Sequence, residues 1–232
     1  VLSSLRVIGW EHTFLMQEQE GMKKTLSSFV EPKVADILLN NPDMINQDGI
    51  RTTVTIMFAD LRGFTKLCEA ISPEQVIEML RDCFGKFISI VRMNGGIVDK
   101  LIGDSMMVVW GNPVPLANHA EKAVESAIEM QAMMQVLKKK WSQKLGVEIT
   151  MGIGINTDEV VAGTIGSAEF CDYTVLGSGV NLASSIESVC PGDTIYISEG
   201  TFSRLNGVFA CRKIDNLCLK NNGSISAYQV MT

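Results

Sequence analysis

Histidine is scarce in this 232-residue chain: His12 and His119 are too few and too far apart to build a histidine-based catalytic or metal site. The six cysteines (Cys68, Cys83, Cys171, Cys190, Cys211, Cys218) fall in no CxxC or CxH spacing. They read as reduced, mostly packed thiols of an intracellular protein, not as a disulfide or zinc set. Positive charge is in deficit, 20 Lys and Arg against 26 Asp and Glu. Non-specific nucleic-acid binding therefore gets no electrostatic support, and an anionic ligand must find its positive charge locally. No apolar run reaches spanning length and no signal peptide is present. The expectation is a cytoplasmic segment without membrane contact of its own, in a parent protein that can still be anchored. The chain opens on Val1, which reads as a piece of a longer protein. With 46% hydrophobic and 20% charged residues, its length suits one sizeable α/β domain, or one domain plus an extra helical segment.

Residues 1–49 differ from the rest. Val7, Trp10, Phe14, Leu15, Met22, Leu26 and Val30 recur near helical spacing. Glu31-Pro32 breaks the run, and a second short helix is expected over Val34 to Leu39. The segment reads either as a helix packed on its own domain or as a linker helix from an upstream regulatory domain. From Thr52 the alternation Val54, Ile56, Phe58 predicts a strand ending at Asp60. Ser72-Pro73 opens a helix to about Met93, closed by Asn94-Gly95-Gly96. A hairpin follows: Ile97–Leu101, a turn at Ile102-Gly103-Asp104, then Ser105–Trp110. A second long helix is expected from His119 to Lys140, with the methionines of Met130–Met134 in its core face.

Further on, Val147–Ile155 and Val160–Ile165 read as two strands interrupted by Asn156-Thr157-Asp158. A strand over Asp172–Leu176, a helix over Gly179–Val189, a strand over Thr194–Ile197 and a short helix over Glu199–Leu205 come next. A terminal hairpin turns at Lys220-Asn221-Asn222-Gly223. The expected fold is α+β: one mostly antiparallel sheet with helices packed against it. Gly152-Ile153-Gly154 has no third glycine in register, so it is not a dinucleotide fingerprint.

Two runs carry the chemistry: Phe58-Ala59-Asp60-Leu61-Arg62-Gly63-Phe64-Thr65 and Asp99-Lys100-Leu101-Ile102-Gly103-Asp104. Each sets an aspartate where an apolar strand meets a glycine-containing turn. Either carboxylate alone is an ordinary turn residue. Together they suit paired hard cations and a triphosphate, with Gly63 letting backbone amides approach a phosphate. The pair resembles the metal motifs of class III nucleotide cyclases, and the resemblance extends over roughly residues 50–230.

That resemblance implies the cyclase fold, with its ferredoxin-like palm, in a catalytic domain over residues 50–232 and residues 1–49 as its lead-in. It implies that Asp60, Asp104 and the backbone carbonyl of Leu61 hold two Mg²⁺ or Mn²⁺ ions. Gly63 and Phe64 would lie beside the bound nucleotide. Lys100 and Thr174 match the base-selecting positions. A lysine donor suits adenine N1 and a threonine oxygen suits the adenine amine, whereas guanine reverses both demands. Asn181 matches the asparagine that orients the ribose, and Lys220 the lysine on the terminal phosphates. The site would lie between two protomers of a head-to-tail homodimer, and the reaction would convert ATP to 3′,5′-cyclic AMP and pyrophosphate.

One position departs from the pattern. The family carries an arginine four residues after the asparagine, charged and directed at the α-phosphate, and here that residue is Ser185. Nearby, Asp158 stands where glycine is usual, Ser178 where aspartate is usual, and Asn222 where a second lysine is usual. Two functional readings follow: an adenylyl cyclase slowed at its transition state, or a nucleotide-binding regulatory or heterodimer-partner domain. A guanylyl cyclase is a third, and Lys100 argues against it.

Overall fold

The computed structural model describes residues 49–167, 171–219 and 223–231. The helices expected within residues 1–49, and Lys220 with its turn, lie outside the described residues.

The Val54, Ile56, Phe58 alternation does form a strand, β1 (Ile50–Arg62). It runs two residues past Asp60 before Gly63, at φ +75°, turns the chain into helix α1 (Phe64–Ala70). Only glycine enters that backbone region without strain. Both faces of β1 are covered. Met57, Ala59 and Leu61 pack into one apolar cluster, and Val54, Ile56 and Phe58 into another.

Helix α2 (Pro73–Met93) starts at Ser72 as expected. The Ser72 hydroxyl accepts from the Gln75 N–H at 3.4 Å, and the Gln75 side chain accepts from the Ser72 N–H at 3.0 Å. This reciprocal pair satisfies two backbone donors that the first turn leaves open. After it come β2 (Ile97–Ile102), β3 (Ser105–Trp110) and α3 (His119–Leu145), the last running five residues beyond the expected Lys140. The remaining elements are β4 (Thr150–Gly166), β5 (Cys171–Leu176), α4 (Ser178–Val189), β6 (Thr194–Ser198), α5 (Glu199–Phe202), β7 (Cys211–Leu219) and β8 (Gly223–Val230).

The sheet order is β2-β3-β1-β4-β6-β8-β7, with β5 also paired to β4. All pairs are antiparallel except β4 with β6. One face is covered by α2 and α3 through Met79, Phe87, Met130, Met134 and Trp141, so the methionines are core as expected. Ala183 of α4 joins the smaller cluster on the other face. None of the six cysteines is in a disulfide, but only Cys83 and Cys190 are buried. The packed reading holds for those two; Cys68, Cys171 and Cys218 are exposed.

One expectation is corrected. The Asn156-Thr157-Asp158 break does not exist, because β4 runs unbroken through it, with Asn156 opposite Ile56 and Thr157 opposite Thr55. Their polar groups are buried with partners. Thr157 Oγ1 lies 2.8 Å from Thr55 Oγ1 and 3.0 Å from Thr201 Oγ1. Thr55 Oγ1 lies 2.7 Å from His119 Nδ1. Asn156 donates to the Gly179 carbonyl at 2.9 Å and accepts from Ser198 at 2.6 Å. Buried polar groups so matched do not end a strand.

Candidate active site

Register brings the two motif aspartates together. Asp60 lies on β1 opposite Ser105 of β3 and Gly152 of β4. Asp104 sits in the β2–β3 turn beside Ser105, where Gly103 takes φ +62°. Both are half-buried. Burial pushes both carboxyls above the usual range, Asp60's charge raises Asp104 further, and the nearby Arg62 guanidinium opposes the rise.

Arg62 is the hub of this cluster. Its Nη1 lies 3.3 Å from Asp60 Oδ2, and its Nη2 lies 2.6 Å from Glu187 Oε1 and donates to the Glu187 carbonyl. Glu187, on α4, is only 7% exposed. Burial pushes its carboxyl up to about 7, against the pull of Arg62. Three carboxylates thus face one guanidinium, and ionising all of them calls for added positive charge. Hard oxygen donors in that state fit a divalent cation. Among the described residues no three acidic or Cys/His side chains are grouped to hold a metal alone. The rest of a coordination shell would come from backbone, water and phosphate, which is usual for Mg²⁺. The Leu61 side chain is buried in the core, so the backbone carbonyl is the group it has to offer.

Gly152 and Gly154 explain how this cluster fits. A Cβ on Gly152 would stand 2.6 Å from Arg62 Nε, and one on Gly154 would stand 2.6 Å from Glu187 Cα. The two glycines therefore form a packing surface, bare where a guanidinium and a helix backbone press on β4. Sequence reading missed Glu187. The signal was available: Ala183, Ile186 and Glu187 share the inward face of α4 at helical spacing, and a carboxylate on such a face needs a cationic partner.

Glu187 also sets a pH dependence. Its folded pKa of about 7 stands above its ordinary 4.5, so between those values the folded chain holds a proton that the unfolded chain has released. Stability should fall as pH rises through that window and level off above it. Asp60 and Asp104 act with the same sign. In metal-free buffer, Glu187→Gln should flatten the fall in melting temperature between about pH 5 and about pH 7.5. An unchanged slope would remove Glu187 as its source.

A second cluster gathers Lys100 and Thr174. Lys100 Nζ lies 2.7 Å from Asp172 Oδ2 and 3.3 Å from Asp99 Oδ2. Thr174 donates to Asp99 Oδ2 at 2.9 Å. Lys100 and Thr174 are thus drawn to a common carboxylate, although their strands do not pair.

Residues 48–232 match the family model of the adenylate and guanylate cyclase catalytic domain. The chain belongs to this family. An adenylate cyclase of Anabaena cylindrica is 33% identical over 228 residues, 90% of this chain and 44% of that protein. Adenylate cyclase 1 of Rhizobium meliloti (strain 1021) is 33% identical over 139 residues, 60% of this chain and 21% of that protein. The cyclase chain thus spans less than half the length of these relatives. Its fold matches the crystal structure of the adenylyl cyclase CyaB from P. aeruginosa with TM-score 0.77 and 33% identity, over 80% of this chain and 97% of that one. The guanylyl cyclase Cya2 matches with TM-score 0.72 and 34% identity, over 79% of this chain and 94% of that one. These two structures, one of an adenylyl and one of a guanylyl cyclase, thus resemble the domain about equally.

The other candidate residues of the cyclase domain lie on α4 and after β1. Asn181 is exposed in the first turn of α4, and Ser185 is half-buried one turn later. Phe64 packs partly against the main core, directly after the Gly63 turn. Gly179 presses on Asp158, where a Cβ would lie 2.6 Å from the Asp158 Cβ. Asp158 is thus matched by a glycine across from it.

Proposed function

We propose that this cyclase domain, over residues 50–232 behind a lead-in of residues 1–49, converts ATP to 3′,5′-cyclic AMP and pyrophosphate. The ribose 3′-oxygen attacks the α-phosphorus and the bond to the pyrophosphate oxygen breaks. The observation that carries this reading is the convergence of Asp60, on β1, with Asp104, in the turn next to the Ser105 that pairs with Asp60. Mg²⁺ or Mn²⁺ held by Asp60, Asp104 and the Leu61 carbonyl would ease loss of the 3′-hydroxyl proton and neutralise the triphosphate. Arg62, held by Glu187, steadies Asp60. Asn181 orients the ribose, Lys220 holds the terminal phosphates, and the Gly63-Phe64 turn lets backbone amides approach them.

The preference for ATP follows from Lys100 and Thr174 as donor and acceptor toward adenine. Head-to-tail pairing of two copies would set Asp60 and Asp104 of one against Lys100, Thr174, Asn181 and Lys220 of the other. The family resemblance supports this assembly. A second reading is favoured by Ser185: a domain that binds nucleotide and metal but regulates, or completes its site with a partner carrying the arginine.

The test is cyclic nucleotide production by the purified chain with Mn²⁺ or Mg²⁺ and either ATP or GTP. Cyclic AMP exceeding cyclic GMP is the expected result. Excess cyclic GMP would overturn the base assignment. Retained binding of an ATP analogue with no product would favour the second reading.

A further inference from the structure

The β2–β3 ladder slips at Asp99. Val98 pairs with Val108 and Lys100 with Met107, which leaves Asp99 as the extra residue of a bulge. On a regular strand Asp99 and Lys100 would point to opposite faces. Bulges re-aim side chains, and here both reach β5, which is not hydrogen-bonded to β2. The Asp99 side chain is 6% exposed, and its Oδ2 is 2.9 Å from Thr174 Oγ1 and 3.3 Å from Lys100 Nζ.

A threonine hydroxyl has one proton and two lone pairs. Against a carboxylate, that proton has one place to go. Thr174 donates to Asp99, so only its lone pairs remain for anything else that approaches. An acceptor of that kind welcomes the exocyclic amine of adenine and repels the O6 of guanine. Lys100 is handled differently by the same carboxylates. Its ammonium has three protons, and Asp99 and Asp172 engage two of them, which leaves a donor for a ring nitrogen.

We propose that Asp99 is a specificity-determining residue that acts through Thr174: by taking the hydroxyl proton, it commits Thr174 to accepting and so to adenine. Asp99 does not itself touch the base, and the inference rests on Lys100 and Thr174 being the base-reading pair. Without Asp99 the hydroxyl would be free to turn its proton toward guanine O6.

The test is competition binding, which needs no turnover. A fluorescent N-methylanthraniloyl nucleotide is bound to the chain with Mn²⁺ and displaced by the α,β-methylene analogues of ATP and GTP. The readout is the ratio of their dissociation constants, in the parent, Asp99→Ala, Asp99→Asn, Thr174→Val and the Asp99→Ala/Thr174→Val double variant. The parent should favour the ATP analogue. Asp99→Ala should shrink that preference by about tenfold. Asp99→Asn keeps the shape but can donate as well as accept, and should shrink it by less. In the Thr174→Val background, Asp99→Ala should change nothing further, because there is no hydroxyl left to orient.

A parent that favours the GTP analogue, or neither, would overturn the base-reading pair and this inference with it. A parent that favours ATP while both Asp99 variants keep its ratio would overturn this inference alone. So would an Asp99→Ala effect of equal size with and without the Thr174 hydroxyl, since Asp99 would then act through the fold. Should Asp99→Ala fail to fold, Asp99→Asn with and without Thr174→Val gives the same decision.

Discussion

Ser185→Arg is expected to raise turnover of ATP by about 10²–10³-fold, mostly in kcat. Ser185 lies one turn after Asn181 on α4, so an arginine there would share a helix face with the proposed ribose-binding residue. A serine hydroxyl carries no charge and reaches less far. A group that meets the α-phosphate charge only as it develops raises kcat and leaves KM nearly unchanged. Arg62 does not substitute for that arginine, because it is tied to Asp60 and Glu187 on its own protomer. Steady-state kinetics of the parent and the variant, with Mn²⁺ and ATP, provide the measurement. Equal kcat values would mean that another group already supplies the charge, or that chemistry does not limit the rate.

Asp60→Asn and Asp104→Asn should each lower cyclic AMP formation by at least about a hundredfold, because a metal-holding carboxylate supports several kcal/mol of transition-state stabilisation. Asparagine keeps the shape and leaves an oxygen for Arg62, so folding should survive. Each substitution also removes a negative charge from a group of three carboxylates around one guanidinium. Melting temperature in metal-free buffer should therefore hold or rise, while the rise caused by added Mn²⁺ should shrink. Loss of activity with a collapsed melting temperature would point to a structural role instead. Activity near that of the parent would end the two-carboxylate account.

Much of this molecule is legible in its residue pattern. The Ser72-Pro73 start, the Asn94-Gly95-Gly96 stop and the β2–β3 hairpin depend on local backbone chemistry, which adjacent residues reveal. Asp60 and Asp104 stand out for a similar reason, since each sits in a short run with its glycine. What escaped notice depends on distant partners. Asn156 and Thr157 look like a turn until Thr55, Ser198 and Thr201 arrive to pair with them. Glu187 acquires its meaning from Arg62, which is 125 positions away. The bulge at Asp99 is a slip in register, and register is a property of two strands together.

The buried hydroxyls form a row along which the protons run one way or the other. Asn156 donates its amide N–H to Gly179, which turns its carbonyl oxygen toward Ser198 and takes the Ser198 proton. Thr201 can then send its own proton to Thr157 at 3.0 Å, or to Ser198 at 3.3 Å or the Ile155 carbonyl at 3.5 Å. The first choice carries on from Thr157 to Thr55 and from Thr55 to His119 Nδ1; the second reverses both steps and puts a hydrogen on Nδ1. Burial, then the nearby Arg204 charge, push the imidazole pKa down, which favours the neutral ring. The direction of one threonine proton is thereby tied to the tautomer of a histidine at the start of α3.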